Sequence, residues 1–181
     1  MLTPQAVAHL QKLWTLSREL YTEGRHALSA FFAITLIEEV GKIVILANSD
    51  LGVDLDKKAW TDHRAKYRYA VGATLLVNSR VSRIYGPDES RFAAWFRQNE
   101  LFNIRNRALY LELVDDQLIA PEESVARRDA FLLVCIGGEV LAEIQGTNAG
   151  TGPDQWRQIL AEIDSFRAKA DGEATVEKLS N

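Results

Sequence analysis

Arginines and asparagines interrupt an otherwise apolar predicted helix in the segment ELFNIRNRALYLEL, residues 100–113. Arg105 is the first candidate for chemistry, because a guanidinium held rigidly by a helix can make bidentate contact with a phosphate. Asn106 is predicted on the apolar stripe of this helix, and Tyr110 follows about one and a half turns after Arg105, so both could border one groove. The other residues of that stripe are Phe102, Leu109 and Leu113. Alternatively, Arg105 serves a buried carboxylate, for instance Glu38 or Glu39, and the two roles are compatible.

A second set of charges lies in the apolar segment of residues 27–47, where Glu38, Glu39 and Lys42 are the only ionisable residues. Because this segment has no broad polar face, at least one carboxylate is predicted to be partly buried. An unpaired buried ion costs roughly several kcal/mol, so it needs a partner, and Lys42 lies four residues after Glu38. Two interpretations stay open: an internal ion pair that fixes helix register, or part of a binding site.

A third candidate is His63 in the segment DHRAKY, with Lys66 three residues later near the same helix face. His63 is predicted on the apolar stripe of the third helix, together with Trp60, Tyr67 and Ala70. A lone histidine on an apolar stripe can be a core residue. It can also be a proton carrier or a phosphate contact at the mouth of a bundle, because imidazole exchanges a proton near neutral pH. Adjacent glutamates in a bundle suggest a carboxylate-bridged metal centre, but that centre needs Glu-x-x-His on two helices, and the chain does not contain the motif twice. We therefore predict no metal and no cofactor.

The overall charge argues against a protein that coats nucleic acid through generic phosphate neutralisation, because the net charge is -4. The local charge differs. Residues 97–107 carry three arginines and one glutamate, and Arg107 is a second candidate for binding in this stretch.

The length of 181 residues is sufficient for one compact domain with its own core. No apolar run reaches the ~20 residues that would span a bilayer, so no membrane association is predicted. The N-terminus lacks the pattern of a secretory signal, and the single cysteine, Cys135, lies in an apolar run. These features predict a cytoplasmic protein in which Cys135 is a core residue.

Caps and hydrophobic periodicity predict six helices joined by polar connectors. Their predicted ranges are 4–23, 25–49, 56–84, 89–109, 121–145 and 153–169, and the second is expected to be the most buried. Residues 110–120 are predicted to form a short extended excursion or small hairpin. The predicted fold is all-α, an up-and-down bundle of five to six helices. The bundle is expected over residues 1–146, a connector and C-terminal helix over 147–170, and a disordered tail over 171–181.

Three segments in a fixed order resemble the HEPN superfamily and, within it, the abortive-infection proteins of the AbiV type. They are ALSAFFAITLIEEVGK in the second helix, HRAK in the third, and RNRALYLEL with PEES after the fourth. The resemblance covers about residues 5–145. It implies an all-α bundle that is commonly dimeric, with metal-independent ribonuclease activity at a motif of arginine, a polar residue and histidine.

Arg105 and Asn106 match the first two places of that motif, and Tyr110 stands where the family has histidine. A phenol is a poor general base at neutral pH. Tyr110 is therefore expected to donate a proton or position the sugar. His63 is expected to act as the base if the third helix packs beside the fourth. The resemblance implies attack of an RNA 2′-hydroxyl on its own phosphodiester, with Arg105 stabilising the phosphate charge.

The leading hypothesis is a bacterial phage-defence protein that acts on RNA of the translation machinery. Expected binding residues are Lys66, Arg107, Glu38, Glu39 and Lys42. The alternative is a non-catalytic bundle that acts by dimerisation and by association with a phage or host protein. A small-molecule or nucleotide binder is a third hypothesis.

Overall fold

A computed structural model describes residues 2–50, 57–72, 95–96, 99–148 and 152–180 of the chain. Its elements are α1 (Pro4–Thr22), α2 (His26–Asp50), a 3-10 turn (Lys57–Trp60), α3 (His63–Gly72), α4 (Glu100–Arg107), β1 (Glu112–Val114), β2 (Gln117–Ile119), α5 (Pro121–Ser124), α6 (Arg127–Asn148) and α7 (Gly152–Ser180). The predicted all-α bundle is confirmed, with one two-stranded hairpin in the described part.

Helix α1 begins and ends as its sequence predicts. The Thr3 hydroxyl accepts a hydrogen bond from the Ala6 N–H at 3.2 Å, and Pro4 occupies the first turn. Gly24 follows the helix with a φ of 78°, a left-handed conformation that glycine adopts without steric cost. The chain can therefore reverse at once into α2.

Polar side chains inside the bundle are paired across helices. Ser17 and Ser29 each donate a hydroxyl to the other's backbone carbonyl, at 3.0 and 2.8 Å, which joins α1 to α2. The Trp14 indole N–H donates to the Val134 carbonyl of α6 at 3.2 Å. These bonds remove the cost of burying unpaired donors and set the register of three helices.

The most continuously buried helix is α6, not α2 as predicted. Every residue from 130 to 145 is buried, because α1, α2 and α7 all pack around this helix. The core position predicted for Cys135 is confirmed. Gly137 and Gly138 allow close contact: a Cβ at Gly138 would lie 2.7 Å from the side chain of Ile163 on α7.

The predicted start of the third helix was wrong. Residues 57–60 form a 3-10 turn and α3 begins at His63, so Trp60 is exposed instead of lying on the buried stripe. Tyr67 and Ala70 are buried as predicted. The predicted continuation to residue 84 falls outside the described residues.

The predicted continuous fourth helix is interrupted at Asn99, whose φ of 65° is left-handed and cannot continue a helix. Helix α4 therefore begins at Glu100. Its buried face is also not the predicted one, because Leu101, Ile104 and Ala108 are buried whereas Leu113 lies 66% exposed in β1. The predicted beginning near residue 89 falls outside the described residues.

The small hairpin predicted for residues 110–120 is confirmed. Strands β1 and β2 are antiparallel and pair Glu112 with Ile119. Asp115 and Asp116, with φ values of 48° and 63°, form the two-residue turn, which needs positive φ at both positions.

The predicted fifth helix is divided into α5 and α6 by Val125, whose backbone is extended. The short helix α5 supports the N-terminus of α2, since a Glu122 carboxylate oxygen accepts a hydrogen bond from the Ala27 N–H at 2.9 Å.

The final helix, α7, extends to Ser180, past the predicted end near Lys169. The division into bundle, connector and disordered tail stays a prediction. None of the described helices combines the length and the apolar character that a bilayer span requires.

Candidate functional site

One carboxylate oxygen of Glu38 accepts two hydrogen bonds from α3 and lies near an arginine of α4. Its Oε1 lies 2.7 Å from His63 Nδ1, 2.6 Å from the Tyr67 hydroxyl and 3.5 Å from Arg105 Nε. We call these four residues the Glu38 cluster. The predicted pairing of Arg105 with a buried carboxylate is confirmed for Glu38, whereas the predicted partner on α2, Lys42, does not contact Glu38.

The cluster forms because α2 and α3 approach very closely. Gly41 lies three residues after Glu38 on α2 and contacts the Lys66 backbone on α3, where an added Cβ would overlap the carbonyl group. Lys66 in turn follows His63 by three residues. The contact therefore fixes the position of α3 along α2 at which His63 and Tyr67 face Glu38. Helix α4 packs on both and contributes Arg105.

Burial fixes the protonation of the cluster's phenol. Glu38 is 6% exposed and Tyr67 is more deeply buried. Burial, followed by the charge of Glu38 and the hydrogen bond to it, raises the pKa of Tyr67 far above its ordinary range, and nearby Arg105 offsets this only in part. The Tyr67 hydroxyl therefore remains a hydrogen-bond donor to the carboxylate throughout the physiological range.

The contact with Glu38 selects the form of His63. A carboxylate accepts hydrogen bonds, so Nδ1 carries a proton and donates the hydrogen bond at 2.7 Å; in the tautomer of the neutral ring that matches this contact, Nε2 is an acceptor. The ring lies with its centroid 5.4 Å from that of Phe102 on α4, and its side chain is 35% exposed. The imidazole is thus oriented by a buried group and still accessible to a substrate.

Arg105 is held near the carboxylate without being fully engaged by it. Its Nε lies 3.5 Å from Glu38 Oε1 but lacks hydrogen-bond geometry, and its side chain is 25% exposed. The guanidinium carbon lies 5.5 Å from the centroid of the Phe31 ring, a cation–π arrangement. The guanidinium makes no hydrogen bond to a described residue, and its Nε is buried beside Glu38, so contact with an anion falls to the terminal Nη groups.

Three other predicted residues, Glu39, Lys42 and Lys66, lie outside the cluster. Lys42 pairs with Glu39 at 2.6 Å and not with Glu38, because Glu38 faces α3 and α4 whereas Glu39 points to the partly exposed side of α2. Lys66 is buried on α3 and has no ion pair or hydrogen bond of its side chain with a described residue.

The remaining predicted residues lie together in a separate cavity of about 390 Å³ between α4 and the start of the hairpin. We call it the α4–β1 cavity. Its polar lining residues are Glu100, Asn103, Asn106, Arg107, Tyr110 and Glu112. The structure therefore divides the predicted site, placing Arg105 with His63 and placing Asn106 and Arg107 with Tyr110.

Tyr67 is the cluster member that sequence reasoning missed. It was counted as an apolar position of the α3 stripe, although it lies one helical turn after His63 and so faces the same neighbour. A tyrosine at that spacing from a histidine on a buried stripe was the available signal. In the described ranges, no group of three or more His, Cys, Asp or Glu side chains could hold a metal ion.

Comparison with known proteins assigns the chain to a family. No curated protein and no solved structure shows significant similarity to the chain. The family model HEPN_AbiV, described as AbiV, matches residues 3–142, which include the Glu38 cluster and the α4–β1 cavity. The chain therefore belongs to the HEPN_AbiV family and is an AbiV-type HEPN protein of the abortive-infection class.

Proposed function

We propose that this protein is a phage-defence endoribonuclease and that the Glu38 cluster is its catalytic site. The observation that carries the proposal is a single carboxylate oxygen, Glu38 Oε1, that contacts a histidine at 2.7 Å and an arginine at 3.5 Å. A base oriented by a carboxylate beside an anion-binding guanidinium is the set of groups that RNA cleavage without a metal requires.

His63 supplies the base. With Nδ1–H donated to Glu38, the free Nε2 takes the proton of an RNA 2′-hydroxyl, and the charge of Glu38 stabilises the imidazolium that forms. A positioned base of this kind contributes about 10²–10⁴-fold to a rate. His63 thereby takes the role that Tyr110 cannot fill at neutral pH.

Arg105 stabilises the negative charge that develops on the phosphate oxygens while the 2′-oxygen attacks phosphorus. The bond from the 2′-oxygen to phosphorus forms and the bond from phosphorus to the 5′-oxygen breaks. The leaving oxygen takes a proton from solvent. The products are a 2′,3′-cyclic phosphate and a 5′-hydroxyl end.

A second candidate function is a non-catalytic binding module. It is favoured by Tyr110, which stands at the third place of the family motif but is 63% exposed and lines the α4–β1 cavity instead of contacting Glu38. In that case the contact between Arg105 and Glu38 is structural, and the protein acts through a phage or host partner.

Cleavage of transfer RNA and of total cellular RNA by purified protein tests the proposal. Arg105→Ala is the variant and Arg157→Ala, an exposed arginine on α7, is the matched control. We expect wild type and the control to produce cyclic-phosphate ends and Arg105→Ala to lose at least about 100-fold in rate, since it removes a preorganised charge from the transition state. Equal rates for Arg105→Ala and wild type would favour the binding module.

The proposed setting is the bacterial cytoplasm, with RNA of the translation machinery as the target and a homodimer as the working form. The hairpin exposes three apolar side chains, those of Leu113, Val114 and Leu118. This exposure supports self-association, because contiguous apolar surface on a protein commonly marks a site of protein–protein contact. The mass in solution at several protein concentrations tests the dimer. A mass equal to one chain of 20.3 kDa throughout would contradict it.

A further inference from the structure

The α4–β1 cavity has no part in the chemistry assigned to the Glu38 cluster, although α4 contributes residues to both. Asn106, which lines the cavity, follows Arg105 directly in α4, so the two side chains leave the helix about 100° apart. Its volume of about 390 Å³ lies within the range of small-ligand sites. We propose that this cavity binds the RNA base next to the cleaved phosphate and selects guanine, an inference that rests on the proposed function.

The first support is an aromatic ring placed for stacking. Tyr110 lines the cavity and remains 63% exposed, so its face is not consumed by packing within the chain. Proteins that bind single-stranded RNA hold unpaired bases by stacking them on such rings. Leu111 adds an apolar surface to the same lining.

The second support is the charge balance of the cavity. Glu100 is already engaged, because Arg107 Nη2 donates to its Oε1 at 2.7 Å and Asn103 Nδ2 donates to its Oε2 at 3.2 Å. Glu112 forms no ion pair and no hydrogen bond of its side chain with a described residue. The carboxylate left over in the cavity therefore repels a phosphate and favours a ligand with N–H donors.

The base that matches these groups is guanine. Its Watson–Crick edge presents two adjacent N–H donors, N1–H and N2–H₂, which suit the two oxygens of the Glu112 carboxylate. Its O6 is an acceptor that the Asn106 amide can satisfy. Adenine and cytosine would turn a ring-nitrogen lone pair toward the carboxylate, and uracil offers only one N–H donor between two carbonyls.

The test separates base binding from cleavage. Four 2′-O-methyl pentanucleotides, which cannot be cleaved by 2′-hydroxyl attack, differ only in a central G, A, C or U and are measured by fluorescence anisotropy. The matching all-ribose pentanucleotides are measured for cleavage position. The variant is Glu112→Gln, and the control is Asp116→Asn, which removes the same charge from the hairpin turn outside the cavity.

We expect wild type and Asp116→Asn to bind the G-containing oligonucleotide about 10-fold or more tightly than the other three, as one bidentate base contact allows. Glu112→Gln should lose that preference while keeping its affinity for the other three. Tight binding of the G-containing oligonucleotide without cleavage of the ribose oligonucleotides would support the base-binding cavity and contradict only the proposed nuclease activity. Cleavage with equal affinity for all four bases, or a preference for G that survives Glu112→Gln, would overturn the subsite.

Discussion

At the scale of single residues, Tyr67 is the least expected part of the site. Its hydroxyl donates to Glu38 at 2.6 Å, and the raised pKa keeps the proton in place. Tyr67→Phe removes this donor from a buried carboxylate. We expect a loss of about 1–2 kcal/mol in the free energy of unfolding, together with slower RNA cleavage, because the orientation of His63 depends on the same oxygen.

Urea titration and single-turnover cleavage measure the two effects of Tyr67→Phe. Tyr69→Phe is the matched control on the same helix, since its hydroxyl makes no hydrogen bond to a described residue. Identical stability and rate for the two variants would show that the hydrogen bond to Glu38 has no energetic role.

Glu143 on α6 predicts a pH dependence of stability. Burial raises the pKa of its carboxyl, so the folded protein keeps this proton to a higher pH than the unfolded chain does. Between the ordinary carboxyl pKa and the raised one, the native state binds more protons, and the free energy of unfolding falls as the pH rises through that window.

Glu143→Gln stays neutral at every pH and should remove this part of the dependence, so its stability relative to wild type should increase from acidic to neutral pH. Urea titrations across that range measure it. Glu19→Gln, at an exposed position of α1, is the control. A constant difference between Glu143→Gln and wild type at all pH values would contradict the assignment.

The sequence was sufficient to predict the candidate site residues, but not all of the residues that they contact. Glu38, His63 and Arg105 were identified because charged and titratable side chains are rare on apolar helix faces. Lys42 was assigned to Glu38 from the four-residue spacing alone. That spacing describes contacts within one helix, whereas the observed partners of Glu38 come from helices whose approach only the tertiary packing determines.

At the scale of elements, the contact between α2 and α3 decides whether the site exists. Gly41→Ala places a methyl group against the Lys66 backbone, which cannot move aside as a side-chain tip can. We expect a loss of about 1–3 kcal/mol in the free energy of unfolding and a larger relative loss of cleavage, because the helices that carry Glu38 and His63 are forced apart.

Gly137→Ala is the control for Gly41→Ala, since its added Cβ would meet the flexible end of Leu36 at 3.3 Å and the Ala33 backbone at 3.7 Å, which is ordinary van der Waals contact. Thermal unfolding and cleavage are compared for both variants. If Gly41→Ala were as stable and as active as Gly137→Ala, the close approach of α2 and α3 would not position the site.

Element boundaries were predictable where a local signal existed and not elsewhere. Thr3, Pro4 and Gly24 mark the ends of α1, and the acidic pair Asp115 and Asp116 marks a hairpin turn. The break at Asn99 has no comparable signal, because an asparagine is tolerated inside a helix as well as in the left-handed conformation.

At the scale of the whole molecule, the fold class could be predicted from the hydrophobic periodicity of the sequence, but the packing arrangement of the helices could not. An all-α bundle requires only that several amphipathic segments bury their apolar faces together. How much of a helix is buried depends on how its neighbours are placed around it. Helix α2 contacts α1, α3, α4, α5 and α6, yet α6 is the helix that is buried without a gap, over residues 130–145, between α1, α2 and α7. The same packing divided the predicted site into a cluster and a cavity.

The rate at which His63→Ala cleaves a defined RNA in a single turnover is the most direct test of the central claim. With His9→Ala, an exposed histidine of α1, as the control, we expect His63→Ala to be about 10²–10⁴-fold slower than wild type with an unchanged circular dichroism spectrum. Added imidazole should restore part of the rate. Cleavage by His63→Ala at the wild-type rate would contradict the assignment of the Glu38 cluster as the catalytic site.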